Sequence, residues 1–258
     1  GMIGSNSKGG LPVLASAYQW FQRNRIYPVK AGLAVSRLLR DPDDTGQVFK
    51  IIEALKGDGI TAPLKRLKAD PVGAAMLEQR INIVTRLNDR DALLAMPEGS
   101  IGRAYYDFVH SQGLSADGLI AAREEAPDYD GLSEEEQWFA NRLRDIHDLQ
   151  HVLTGYGRDP LGELSLLSFM TTQVENRGIN FIIFIGGRKF KGDYPQLDIK
   201  GFIAEGRAIG KKAAWMPAIR WEDRLHEPLQ SVRNELGFQA PVNYQAVDYI
   251  VQDLPSAA

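Results

Sequence analysis

Two histidines and two carboxylates between residues 147 and 163 have the types and spacing of a metal site. His147, Asp148 and His151 form an HDxxH run, and Glu163 follows after eleven further residues. At about 100° per residue, His147 and His151 lie about 40° apart on one helix face, with Asp148 about 60° further round. All three can point toward one ion, and Glu163 can complete the site from the first turn of the next helix.

The chemistry of these donors suits a borderline divalent ion better than calcium or a soft copper site. We expect zinc, with iron and manganese as alternatives. The chain has no cysteine, which excludes thiolate ligands and disulfides. If one carboxylate binds weakly, the ion keeps a position for water or substrate, so the four ligands are also the candidate catalytic residues. The alternative interpretation is a solvated His/Asp helix face.

Two arginines precede the metal motif and could hold an anionic substrate group. Arg142 and Arg144 stand five and three residues before His147, and Arg144 projects about 60° from His147 on the same face. The competing interpretation is structural: Arg144 would form an ion pair with Asp148 or with a glutamate of the acidic segment 124–136.

Other metal-dependent classes fit the sequence less well. A zincin protease has the same histidine spacing in HExxH, but here Asp148 takes the position of the catalytic glutamate. A di-iron carboxylate bundle needs paired Glu-x-x-His motifs on separate helices, and no second set is present. His110 and His226 are isolated in the sequence; a lone histidine such as His110 is more often structural than a ligand.

Strong local signals mark the two helices that must position these residues. Ser133 and Glu136 form a capping box at the start of a helix predicted to run to about Leu153, where Gly155 provides a stop. Asp159-Pro160 begins the next helix, with the aspartate as cap and the proline in the first turn. The metal site is therefore predicted to lie on a helical hairpin.

Helical spacing dominates the rest of the chain. We predict a helix over 99–111, a helix or a buried strand over 179–187, a loop over 188–198, and helical spacing over 199–214 and 221–236. The fold is predicted to be mostly α, a single bundle-like helical domain over residues 11–258 that follows a tail at residues 1–10.

Composition excludes some classes of protein. The 258 residues carry a net charge of −3, and the pI near 5.9 argues against a nucleic-acid-coating surface. The apolar run at 179–187 is too short to span a membrane, which takes about 20 residues. Residues 11–39 mix aromatic and basic side chains, which indicates either packing against the core or a patch that touches membrane lipid.

The segment RLRDIHDLQHVLTGYGRDPLGE, residues 142–163, resembles the signature of the coenzyme Q biosynthesis protein 4 family, in which an R-x-R-x-x-HDxxH run precedes a Gly-Glu pair. Similarity extends to a G-x-x-Y-x-x-F pattern at 102–108, to Trp221-Glu222 and to the RNELGF run at 233–238. The resemblance covers roughly residues 12–240.

This resemblance implies a helical protein that binds a divalent metal through His147, Asp148, His151 and Glu163 and takes a prenylated lipid as ligand. The implied role is ubiquinone assembly, through oxidative removal of the carboxylate from the aromatic head group and through organising other quinone-biosynthesis proteins at the membrane. The alternative is a non-catalytic lipid-binding scaffold.

The candidate substrate-binding residues are Arg144, Arg142 and Tyr105. For a bacterial-type member of the family we expect a location in the bacterial cytoplasm, peripheral to the inner membrane face. A homodimer is a further expectation, and nucleic acid is not expected as a partner.

Overall fold

The computed structural model of the chain describes residues 59–110 and 131–247. Regular structure in these two segments is helical, and the β-pairing found there is an isolated antiparallel bridge between Ser100 and Pro228. The prediction of a mostly α fold is confirmed. The tail at 1–10, the aromatic and basic segment 11–39 and most of the acidic segment 124–136 lie outside the described residues, and the single-domain boundary stays a prediction.

The helices follow one another with short connections. In chain order they are α1 (Thr61–Ala69), α2 (Pro71–Gln79), α3 (Val84–Leu87), α4 (Arg90–Ala95), α5 (Ile101–His110), α6 (Glu134–Asp145), α7 (His147–Thr154), α8 (Pro160–Gln173), α9 (Arg177–Asp193), α10 (Ile199–Lys212), α11 (Leu229–Leu236) and α12 (Val242–Ala246), with 3-10 turns at Met216–Ala218 and Trp221–Asp223. Within the described segments, no helix has both the length and the apolarity to cross a membrane.

The helix that leads to the metal motif starts as predicted and is then interrupted. The Ser133 hydroxyl accepts from the Glu136 N–H at 3.2 Å, and the Glu136 carboxylate accepts from the Ser133 N–H at 3.2 Å. The predicted single helix to Leu153 is divided at one residue, Ile146, whose ψ is near −1°. The Ile146 N–H still donates to the Arg142 carbonyl at 3.0 Å, and the Ile146 carbonyl accepts from the Gln150 N–H at 3.1 Å, so α7 directly continues α6.

The hairpin between α7 and α8 is built by the predicted stop and start signals. Gly155 ends α7 in the left-handed region with φ of 85°, a conformation that glycine adopts without steric cost. The Asp159 carboxylate then accepts from the Gly162 N–H at 2.9 Å, and Pro160 occupies the first turn of α8. The connection is short, so the start of α8 lies beside the end of α7.

Helix α8 is the centre of the molecule. Every residue from Pro160 to Met170 is buried, as expected for a helix surrounded by other elements. Its main neighbour is α10, which approaches closely because two glycines face it. A Cβ atom on Gly206 would lie 2.5 Å from the Ser165 carbonyl oxygen, and one on Gly210 would lie 2.7 Å from the Phe169 carbonyl oxygen.

Two predictions for the last third need correction. The run at 179–187 is helical, but α9 continues to Asp193, so the predicted loop at 188–198 is wrong over its first six positions. Gly192 has open space around it, and a helix tolerates such a glycine at a modest cost. Helical spacing also predicted a helix over 221–236, but within that range only Leu229–Leu236 is α-helical.

Candidate metal centre

Three of the four predicted metal ligands converge inside the protein. His147 and His151 on α7 and Glu163 on α8 each offer a ligand atom, and the three atoms all lie within 4.8 Å of one another. All three residues are buried: His147 is 7% exposed, His151 2% and Glu163 1%. The imidazole rings meet edge to face, with centroids 5.1 Å apart. One helical turn and the hairpin together bring these donors to one point.

The surroundings of His151 and Glu163 fit a cation between them. His151 Nδ1 lies 2.8 Å from the Tyr156 carbonyl oxygen; because a carbonyl only accepts, Nδ1 carries the hydrogen, and a neutral ring presents the Nε2 lone pair. Glu163 Oε2 lies 3.4 Å from that Nε2 and accepts no hydrogen bond from the described residues. Two buried electron pairs that face each other require a proton or a metal ion between them.

Asp148, the fourth predicted ligand, is not part of this group of three. Its Oδ1 lies 3.6 Å from Arg158 Nη2, and both side chains are buried. Asp148 stands next to His147 on α7, so it projects about 100° away from that histidine, toward the loop that carries Arg158. The three converging donors resemble catalytic sites in which three protein ligands leave a position for water or substrate.

Arg142, a predicted substrate-binding residue, forms a buried ion pair with Glu222. Its Nη1 and Nη2 donate to the two carboxylate oxygens of Glu222 at 2.8 and 3.2 Å, and its Nε donates to the Pro217 carbonyl at 3.1 Å. The pair connects α6 to the 3-10 turn at Trp221–Asp223. The guanidinium of Arg142 therefore stabilises the packing of these elements.

Arg144, the second predicted substrate-binding arginine, has a different partner from those considered in the sequence. Its Nε lies 3.4 Å from Oδ1 of the adjacent Asp145. Arg144 also lines a surface cleft of about 360 Å³ together with Arg80, Trp138 and other residues. The three converging metal donors do not line this cleft.

Tyr105, the third candidate, lies in the hydrophobic core and is 3% exposed. Its helix, α5, packs against α7 and supplies Phe108 to the metal group. The Phe108 ring stacks on the His151 ring with centroids 4.9 Å apart and lies 4.4 Å from the Arg158 guanidinium carbon. From the sequence, Phe108 was predicted to be a core residue and part of a family motif, and neither Tyr156 nor Arg158 was predicted to lie at the site.

Buried polar groups fix the loop that follows α7. Burial raises the pKa of the Tyr156 phenol, so the ring stays protonated. Burial also raises the pKa of the Asp159 carboxyl, although a hydrogen bond from the Tyr244 hydroxyl acts against that shift. The same Tyr244 oxygen accepts from the Gly157 N–H at 3.1 Å. Tyr244 of helix α12 thus holds the middle and the end of the loop.

Comparison with known proteins identifies relatives of this chain. The sequence model described as Coenzyme Q (ubiquinone) biosynthesis protein Coq4 matches residues 20–242. The ubiquinone biosynthesis protein COQ4 homolog of Bos taurus, named as mitochondrial, is 31% identical over 68% of this chain and 64% of its own length. The Homo sapiens homolog is 30% identical with the same coverage, so the chain spans about 64% of the length of these relatives.

A solved structure shares the fold. The crystal structure of a protein from Nostoc punctiforme PCC 73102, provisionally named a ubiquinone biosynthesis protein, superposes with a TM-score of 0.54 at 18% identity. The match covers 92% of this chain and 100% of that one.

The expected location needs correction. A bacterial cytoplasm, peripheral to the inner membrane face, is wrong by this comparison, because the relatives from Bos taurus, Rattus norvegicus and Penicillium rubens are all named as mitochondrial proteins. The resemblance carried by the HDxxH segment is confirmed by the match over residues 20–242. The chain belongs to the Coq4 family of coenzyme Q (ubiquinone) biosynthesis proteins.

Proposed function

We propose that the chain acts in ubiquinone biosynthesis as a divalent-metal-dependent protein that binds a prenylated aromatic precursor and supports oxidative decarboxylation of its head group. Family membership supports the pathway. The observation that carries the metal dependence is the buried group of His147, His151 and Glu163, whose ligand atoms lie within 4.8 Å of one another.

Each residue around the group has a role in this proposal. His147, His151 and Glu163 would hold the ion, which when bound would polarise an oxygen of the ligand. The Tyr156 carbonyl fixes the tautomer and the direction of His151, as partners of metal-binding histidines commonly do. Phe108 covers one face of His151 and limits the approach of water.

The metal could be zinc, iron or manganese. Imidazole and carboxylate donors suit all three ions. Zinc has no redox chemistry of its own, so an oxidative reaction would require iron or manganese, an added redox partner, or dioxygen that reacts with an electron-rich phenol. Elemental analysis of protein purified without chelator identifies the ion.

Metal dependence is tested with His151→Ala and Glu163→Gln, and with His110→Ala as a matched control. His110 is half-buried against Tyr106 and is not a member of the group of three. We expect the first two variants to weaken metal binding by more than about 100-fold, because even changes in the residues around metal ligands cost 10- to 100-fold. Wild-type protein that takes up no divalent metal, or equal losses in all three variants, would contradict the proposal.

The scaffold alternative is favoured by one observation, the near-complete burial of all three donors, which also suits a structural metal. Folded His151→Ala and wild-type protein are compared for turnover of a prenylated hydroxybenzoate and for binding to other quinone-biosynthesis proteins. Lost turnover with retained partner binding supports the enzyme. If metal-loaded wild-type protein never converts this substrate under oxidising or reducing conditions, the enzyme hypothesis fails and the scaffold function remains.

A further inference from the structure

Arg158, in the loop between α7 and α8, is a buried cation with unused hydrogen-bond donors. The residue is 3% exposed, and its Nε and Nη2 atoms make no hydrogen bond within the described part of the chain. Its contacts are Asp148 Oδ1, 3.6 Å from Nη2, and the Phe108 ring, 4.4 Å from the guanidinium carbon. A guanidinium has five N–H donors, and burying them without acceptors is costly.

Arg158 lies next to the residues that form the metal group. Its ion-pair partner Asp148 directly follows His147 in α7, and the Phe108 ring under its guanidinium also stacks on His151 with centroids 4.9 Å apart. Phe108 therefore contacts both Arg158 and His151, which puts the guanidinium within one aromatic side chain of the metal group.

Arg158 and a bound divalent ion would be the two cations at this site. They would lie among the carboxylates of Asp148 and Glu163, and Asp159 is close enough to Glu163 for their charges to interact. The unused donors of Arg158, and not the net charge, are therefore what a carboxylate on the ligand would satisfy.

We propose that Arg158 recognises the carboxylate of the aromatic ligand at the metal centre. The inference rests on the proposed function and assigns to Arg158 the part that the sequence suggested for Arg142 and Arg144. The guanidinium of Arg142 is occupied by Glu222, and that of Arg144 lies beside Asp145. The planar fork of an arginine matches the two oxygens of a carboxylate, and such charge-assisted hydrogen bonds are about twice as strong as neutral ones.

The first test compares two ligands on the wild-type protein. Geranylated 4-hydroxybenzoate and the matching geranylated phenol, which lacks only the carboxylate, are titrated into the 258-residue chain loaded with redox-inert zinc, and binding is measured by calorimetry. The carboxylated ligand should bind about 10- to 100-fold more tightly. Equal affinities for the two ligands overturn the proposal.

The second test removes the guanidinium. Arg158→Gln should bind the carboxylated ligand about as weakly as wild-type protein binds the phenol, with unchanged affinity for the phenol itself. Arg158→Lys keeps the positive charge but lacks the planar guanidinium, so its affinity for the carboxylated ligand should lie between those of the wild-type protein and Arg158→Gln. It can replace Arg158→Gln in this test where the glutamine variant does not fold. Arg188→Gln, at an exposed arginine of α9, is the matched control and should leave both affinities unchanged.

Two outcomes of the second test count against the proposal. Equal weakening of both ligands in a folded Arg158 variant would show that Arg158 only neutralises Asp148. Loss of carboxylate preference in Arg144→Gln, with full preference in Arg158→Gln, would return the role to Arg144.

The metal content of every variant separates this inference from the proposed function. Arg158→Gln that retains its zinc but not its preference for the carboxylate supports the role of Arg158 directly. If the wild-type protein binds no divalent metal, and the preference for the carboxylated ligand is still present and is lost in Arg158→Gln, the proposed metal dependence fails while the role of Arg158 stands.

Discussion

A buried ion pair joins two distant parts of the chain at Arg142 and Glu222. The exposed fractions of the two side chains are 1% and 7%, and both carboxylate oxygens of Glu222 accept hydrogen bonds from the guanidinium. Removing one member of such a pair leaves a charge in the core without compensation, which costs more than the pair itself contributes.

Glu222→Gln should therefore lower the free energy of unfolding by about 3 kcal/mol or more, measured by urea denaturation at neutral pH. The matched control is Glu235→Gln, which breaks a forked pair with Arg224 of similar geometry, 2.7 and 3.0 Å. That pair lies at the surface, where water replaces the lost contacts, so the loss should be much smaller. Similar losses of unfolding free energy in the two variants would show that burial does not make the Arg142–Glu222 pair more important for stability.

The separation of residues along the chain decides how much of the site the sequence could predict. The convergence of His147, His151 and Glu163 follows from helical spacing and a short hairpin, both of which are local. The partner of Arg142 lies 80 residues away, and no local pattern indicates it. Arg158 belongs to a loop, where neither helical nor strand periodicity places a side chain.

At the scale of elements, helix ends were predictable and helix interiors less so. The caps at Ser133 and Asp159 and the glycine stop at Gly155 work through short-range hydrogen bonds and backbone conformation, which the sequence states directly. The one-residue break at Ile146 has no such local signal in the sequence. The extension of α9 through Gly192 shows that a glycine in open space does not by itself end a helix.

The approach of α10 to α8 depends on Gly206. Gly206→Ala should destabilise the protein by about 1–3 kcal/mol, because the new methyl group would meet backbone, which cannot move aside as a side chain does. Gly192→Ala is the control, since nothing lies within 4 Å of a Cβ atom there, and it should be stabilising by about 0.4–1 kcal/mol. Thermal and urea denaturation measure both; a stabilising Gly206→Ala would contradict the close packing.

At the scale of the whole molecule, the C-terminal segment clamps the hairpin. Arg233 on α11 donates to the Leu153 and Val152 carbonyls at 3.0 and 2.7 Å and so satisfies the end of α7. Burial lowers the pKa of this guanidinium. Tyr244 on α12 binds the loop at Gly157 and Asp159. Occupation of the metal group and the stability of the entire fold should therefore be linked.

Zinc at about 100 times its dissociation constant should stabilise the wild-type protein by about 2.7 kcal/mol relative to protein in chelator, because a ligand that binds only the native state shifts the unfolding equilibrium. Differential scanning calorimetry with and without zinc measures the shift in Tm. His151→Ala should show almost none. An equal shift in that variant would mean that zinc stabilises the protein elsewhere.

The closeness of the three metal donors along the chain also bears on the order of folding. His147, His151 and Glu163 close only a short loop, whose entropic cost is small because that cost grows with the logarithm of loop length. The ribosome extends the chain from its N-terminus. A nascent chain therefore contains all three candidate donors before Glu222, Arg233 and Tyr244 have been synthesised, and we expect an ion bound at that stage to hold the hairpin until those residues arrive.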